Sequence, residues 1–430
     1  MDNQIMLQIL NQELAPAVGC TEPIAVAYAS ANAREVLGRI PDSVEVRVSR
    51  NIMKNAMGVG IPGTNEVGIA MACAMGTLAG RADAGLEVLK GITADKIDES
   101  RRYADHNVSI SLKPTDKKLY IEVLMKSGQD TSLAVIEDFH TNLTHLQRNG
   151  EEIAVNGSAG RSETAKADES ALTVRRICDF VEQADLSALK NSSLSDCVRI
   201  NWRIAEEGIR GKYGMNVGSS IRQWKEKGSP DADPENYAIA MTAAAADARM
   251  AGSTLSVMTL CGSGNQGLTA TVPVIAFCKA QNCSEEKLYR SLALSCLITI
   301  HVKYYIGRLS PLCGCGVGSS IGVCCALAWL GGGRYPQIVS AIKNMAADVS
   351  GIICDGAKAG CALKIATVIG SAFQCSLLAL HGSSAGDLDG IVTEDVERTI
   401  RHIGELGNVG MADTDQVILD MMTETLQKCQ

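Results

Sequence analysis

Four short stretches of this chain place thiols where side chains can converge: VGCTEP around Cys20, LCGSGNQG around Cys261, LCGCG with Cys313 and Cys315, and ICDGAKAGC with Cys354 and Cys361. Each of these cysteines adjoins glycine, proline or an acid at a break between helical patterns. Cys73, Cys178, Cys197, Cys278, Cys283, Cys296, Cys324, Cys325, Cys375 and Cys429 lack that company and read as small buried hydrophobes within helices. Zinc would announce itself by paired Cys-x-x-Cys spacings, which the chain does not contain. A 4Fe-4S cluster accepts thiolates from scattered positions, usually four. With only three supplied, one iron keeps an open site and acts as a Lewis acid toward a substrate.

The stretches PAVGCTEP, CGSGNQG, LSPLCGCGVGSS and CDGAKAGCALK, in that order through nearly the whole chain, resemble the L-cysteine desulfidase family, a relative of the catalytic chain of iron-sulfur L-serine dehydratases. In that family three cysteines hold a 4Fe-4S cluster and an N-terminal cysteine handles the substrate proton. The resemblance implies metal ligands at Cys354, Cys361 and one of Cys313 or Cys315, and the proton-handling role at Cys20. Serine dehydratases show one cysteine followed by a glycine-rich turn and a Val-Gly pair. Matching that pair to Val317-Gly318 makes Cys313 the expected ligand, with Cys315 the alternative. The Cys354 to Cys361 spacing is shorter than in serine dehydratases and favours the desulfidase. The implied reaction is α,β-elimination from L-cysteine to hydrogen sulfide, ammonia and pyruvate, with a soft iron to receive the departing sulfur and no pyridoxal phosphate. L-serine dehydration on the same cluster is one alternative. A non-enzymatic iron-sulfur or redox protein, with Cys20 as a fourth ligand, is another. The helix start that Thr21-Glu22-Pro23 signals is expected to lower the Cys20 pKa.

Other groups could meet a substrate. SRNIMKNAMGVGIPGTNE puts Asn51, Lys54 and Asn55 within one helical turn beside a glycine loop, a face of amide and ammonium donors or else an exposed helix end. GSGNQG (262–267) and GVGIPG (58–63) match the dinucleotide spacing, which also requires a preceding strand, a βαβ unit and an acid ending the second strand. Glu285 and Glu286 stand at about the right distance but in a helix start, so neither loop is read as a nucleotide site. Ser263, Asn265 and the loop amides are read instead as donors to an amino-acid carboxylate, with a tight helix-helix turn as the alternative. His301, alone on an apolar helix, is assigned to the core.

Positioning these residues takes two kinds of element. Gln4 to Leu14 and Pro23 to Ile40 carry helical spacing on either side of Cys20, after which VEVRV (44–48), VSISL (108–112), LYIEVLM (119–125) and TSLAVIE (131–137) alternate as strands. Helices from about 64 to 100 interrupt them, and polar residues 149–170 read as a connection. From about Ala171 onward the pattern is helical, punctuated by glycine-rich turns, with no credible run of alternating strands. The expected class is α+β: residues 1–160 form an α+β domain with a small, largely antiparallel sheet and the Cys20 motif, and residues 161–430 a mostly α-helical cluster-binding domain. Net charge of -8 with no basic stripe excludes a nucleic-acid partner. The run Val317 to Leu330 is too short to span a membrane, and the apolar run after Gly351 is interrupted by Asp355, Lys358 and Lys364. Sixteen cysteines without a leader pattern point to the reducing cytoplasm. The expected partner is a small-molecule substrate, L-cysteine, with a homo-oligomer left open.

Overall fold

A computed structural model of the chain describes residues 2–154, 168–225 and 233–428. The alternating segments form a six-stranded sheet in the order Val108–Leu112, Ser43–Val48, Tyr120–Ser127, Asp130–Glu137, Leu143–Arg148, Glu151–Glu152. Its neighbours are antiparallel except Ser43–Val48 with Val108–Leu112. That pair is parallel because the chain between them crosses through helices Arg50–Ala56, Ile69–Ala79 and Ala94–Asn107. Val44, Val46 and Val48 pair with Met125, Val123 and Ile121, and all six are buried beneath one face. Helix Thr21–Leu37 covers that face, so the alternation in the sequence reports a sheet wet on one side only. The α+β expectation holds. Strand Leu143–Arg148 was not foreseen, since LTHLQR alternates weakly. Of the connection expected at 149–170, residues 155–167 lie outside the described residues, as does Cys429.

The second core is built by helices Val174–Gln183, Glu285–Ile306, Ser320–Leu330, Tyr335–Val349 and Cys361–Leu380, with Gly264–Ala280 and Pro234–Met250 behind them. Helix Asp2–Glu13 adds Met6, Ile9 and Leu10 to this core, and the strand Leu14–Val18 that follows pairs antiparallel with Ser256–Leu260. Ser256–Leu260 is thus a single strand within the segment beyond Ala171 that was read as mostly helical. Residues 257–260 are buried in sequence, and a strand covered on both faces shows no alternation. The expected interruption of the last apolar run is also corrected: Asp355 and Lys358 precede helix Cys361–Leu380, which is long and apolar enough to cross a membrane by length and composition. Here it packs against Pro234–Met250, Ser320–Leu330 and Tyr335–Val349. Glycine permits the closest packing, as at Gly267, where a Cβ would fall 1.9 Å from the Met258 carbonyl oxygen.

Candidate functional site

Two loops of the helical core hold the thiols. Cys313 N–H donates to the Ile352 carbonyl at 2.9 Å and Cys354 N–H to the Pro311 carbonyl at 2.6 Å, a short antiparallel contact centred on Leu312 and Ile353. Cys313 then caps the turn Gly314–Ser319, its Sγ accepting the Gly316 N–H at 3.3 Å. Cys361 opens helix Cys361–Leu380, and its Sγ lies 3.6 Å from the Gly356 carbonyl oxygen. Every cysteine among the described residues is a free thiol.

The thiols act on one another. The Cys315 thiol donates to Cys313, which holds Cys313 down at about 6 despite burial, helped by the Gly316 N–H and Lys364. The same bond, with burial, pushes Cys315 well up. Burial and the nearby Cys313 raise Cys354, opposed by Lys54 and the Gly356 N–H. Burial takes Cys361 to about 11, opposed by the backbone at Lys358 and reinforced by Cys313 and Cys354. Cys313, Cys354 and Cys361 thus share one neighbourhood, and each sulfur has a backbone contact that favours its thiolate. Among the described residues, no three His, Cys, Asp or Glu side chains are gathered tightly enough to hold a single metal ion. A four-iron cube asks less of them, because each thiolate takes a different iron.

Cys20 approaches this group from the sheet side. It is the residue before helix Thr21–Leu37, 1% exposed, and packs with Val59, Met250, Ala357 and Cys361. The helix start does not lower its pKa as expected. Burial takes the thiol up to about 12, outweighing the Arg249 guanidinium beside it, and Glu22 and Cys361 add to the rise.

The remaining sequence candidates divide. Lys54 is buried and directed inward, its Nζ donating to the Cys354 carbonyl at 2.9 Å and pairing with Asp415, so it is a strut beneath the cysteine loop rather than an exposed helix end. Asn55 Nδ2 donates to Glu22 Oε1 at 3.3 Å, while its buried Oδ1 has no partner. Asn51 is half-buried on the same helix. Ser263 precedes helix Gly264–Ala280 without capping it through its side chain, and Asn265 Oδ1 accepts from Arg249 Nη1 at 3.1 Å. The strand before GSGNQG pairs only antiparallel among the described residues, and GVGIPG turns a small hairpin whose Pro62 occupies the space a Cβ at Gly19 would need. Neither loop is built for a dinucleotide. Cys261 is buried at a positive φ of 50° and lies near Lys303. His301 Nε2 and Glu397 Oε2 are 2.7 Å apart in the core, where that histidine was expected.

Two cations at the site had no signal strong enough to single them out. Lys303, 5% exposed, donates from Nζ to the Arg308 carbonyl at 3.3 Å, and burial pulls its pKa down against the pull of Cys261, Cys354, Cys315 and Cys313. A lysine in the otherwise apolar TIHVKYYI was the available hint. Arg249, 6% exposed, reaches Gly19 and Asn265. A cleft of about 420 Å³ between Trp202, Arg210, Arg222 and Tyr237 contains none of these residues.

Residues 83–420 match the family described as serine dehydratase alpha chain. Relatives of nearly equal length carry the name UPF0597 protein. One from Bacteroides fragilis is 40% identical over 420 residues, 97% of either chain. One from Oleidesulfovibrio alaskensis is 41% identical over 417 residues, again 97% of either chain. One from Fusobacterium nucleatum is 43% identical over 425 residues, 97% of this chain and 98% of its own. With the match covering both cysteine loops and Arg249, this chain belongs to the serine dehydratase alpha chain family.

Proposed function

We propose that this protein is an iron-sulfur-dependent carbon-sulfur lyase that eliminates hydrosulfide from L-cysteine, leaving aminoacrylate that hydrolyses to pyruvate and ammonia. The observation that carries the reading is the place of Cys20: Cys361, whose thiol Cys313 and Cys354 perturb, packs against the small cluster that holds Cys20, yet Cys20 comes from a different segment. The donor set suits a 4Fe-4S cluster held by Cys313, Cys354 and Cys361, since backbone N–H groups meet the sulfurs and Lys54, Lys303 and Lys364 offset thiolate charge. When bound, such a cluster supplies a soft Lewis acid for a departing sulfur. Cys313 is the better third ligand, because its Sγ accepts the Gly316 N–H at 3.3 Å, a contact that favours its thiolate.

The chain's own groups do the remaining work. Cys20 handles the α-proton; burial keeps it protonated in the free protein, so its basic form arises within the substrate complex. The start of helix Gly264–Ala280, with Ser263 and Asn265, favours an anionic carboxylate. Lys54 fixes the Cys354 loop. The family match favours L-serine dehydration at the same thiols as the second reading.

The test is made on anaerobically reconstituted Cys20→Ser protein. It should keep the visible absorption of the cluster and lose sulfide production by about a hundredfold or more, serine being too weak a base. Unchanged activity would return Cys20 to packing, and loss of the absorption would make it a ligand and favour the non-enzymatic alternative. A wild-type kcat/KM higher for serine than for cysteine would favour dehydration.

A further inference from the structure

The charges beside Cys20 are not balanced by ion pairs among the described residues. Arg249 ends helix Pro234–Met250 and is nine-tenths buried, yet forms no ion pair with a carboxylate among the described residues. Its Nη2 donates to the Gly19 carbonyl and its Nη1 to Asn265 Oδ1, each at 3.1 Å. The Cys20 thiol lies near enough to feel the guanidinium charge, and among the described residues Nε has no acceptor. Gly264 makes this position possible, since a Cβ there would fall 2.3 Å from Nε. A guanidinium has five donors, and one buried against neutral acceptors alone has lost its hydration without gaining an anion.

A second charge near Cys20 carries the complementary deficit. Glu22, in the first turn of the helix that follows Cys20, receives Asn55 Nδ2 and the Thr21 hydroxyl but no ammonium or guanidinium within the described residues. His140, which lies within 3.2 Å of the Thr21 hydroxyl, is driven by burial toward its neutral form. Asn55 Oδ1, on a residue 8% exposed, has no donor. Among the described residues, a cation and an anion that lack charged partners, with a spare acceptor beside the anion, therefore both lie near one thiol.

We propose that Arg249 and the Glu22–Asn55 pair form a clamp for the zwitterionic main-chain end of an α-amino acid. Arg249 takes the carboxylate, for which its planar fork is suited, and Asn265 is the residue that orients it. Glu22 and Asn55 Oδ1 take the ammonium. The α-carbon, bonded to both groups, is then held against Cys20. The clamp rests on the elimination reading for its substrate, and it specifies an α-amino acid rather than a simple thiol or carboxylic acid.

L-Alanine, which has no β-leaving group, is the probe, with propionate and ethylamine as its two halves, titrated calorimetrically into reconstituted full-length protein. Wild type should bind L-alanine at least about tenfold more tightly than either half, the worth of one charge-assisted contact. Arg249→Met should weaken L-alanine by about tenfold or more and leave ethylamine unaffected, Glu22→Gln should do the reverse for the two halves, and Arg249→Lys should be intermediate. Ethylamine binding wild type as well as L-alanine does would overturn the clamp even if Arg249→Met does not fold. Wild-type affinity for L-alanine in folded Arg249→Met would overturn it too. If L-alanine binds through Arg249 but neither L-cysteine nor L-serine yields pyruvate, the clamp stands and the elimination falls. If pyruvate forms and KM is unchanged in Arg249→Met, the clamp falls and the elimination stands.

Discussion

At the scale of single residues, one glycine separates Cys313 from Cys315, yet their protons are held oppositely: Cys313 toward thiolate, Cys315 toward thiol. The assignment of ligands predicts that Cys313→Ala, Cys354→Ala and Cys361→Ala each abolish the visible absorption of reconstituted protein, while Cys315→Ala retains it. Absorption lost in Cys315→Ala and kept in Cys313→Ala would reverse the choice. The candidate cysteines were singled out in the sequence because glycine and proline mark breaks where side chains leave a helix, and Cys313 was preferred to Cys315 by its family resemblance; what the sequence did not show is the turn that aims the Gly316 N–H at the Cys313 sulfur. Arg249 was illegible for a related reason. In TAAAADARMAG it looks like an ordinary helix end, and only segments far along the chain, bringing Gly19, Gly264 and Asn265, bury it.

At the scale of elements, the sheet could be read because only one of its faces is covered, and strand Ser256–Leu260 could not because both of its faces are. Helix contacts in the second core rest partly on one buried polar junction. Glu397, on helix Val396–Glu405, accepts the Val174 N–H at 2.7 Å and meets His301 of helix Glu285–Ile306 at the same distance. Burial raises the Glu397 pKa, but the bond and charge of His301 and the Val174 N–H outweigh it, leaving the carboxyl below its ordinary value of 4.5. A depressed carboxyl pKa contributes stability that is fully present above the unfolded value and is lost as pH falls through the folded one. Thermal denaturation should therefore show wild type losing stability below about pH 4.5, with Glu397→Gln less stable at neutral pH and flatter in acid. An identical acid profile in the two proteins would show that the junction carries no pH-dependent stability.

At the scale of the whole molecule, the sheet-covered core and the helical core meet where Cys20, Arg249 and the cysteine loops meet. The switch from alternating to helical pattern announced two kinds of architecture. It could not announce that helix Asp2–Glu13 packs into the later core, because an amphipathic helix does not name its partner. Lys54 ties three parts together, reaching from helix Arg50–Ala56 to the Cys354 carbonyl and to Asp415 on helix Thr414–Lys428. Lys54→Ala leaves Asp415 and that carbonyl unpaired, and should cost about 3 kcal/mol in denaturant unfolding. It should also speed the loss of cluster absorption in air, while a change within about 0.5 kcal/mol would mean the strut is dispensable. The central claim is elimination at a three-thiolate iron-sulfur site, and it is tested most directly by measuring sulfide and pyruvate together from L-cysteine with anaerobically reconstituted protein. The two products should appear in equal amounts, and only when the cluster absorption is present. A fully loaded protein that releases neither, or a cluster-free protein that releases both at the same rate, would contradict the account.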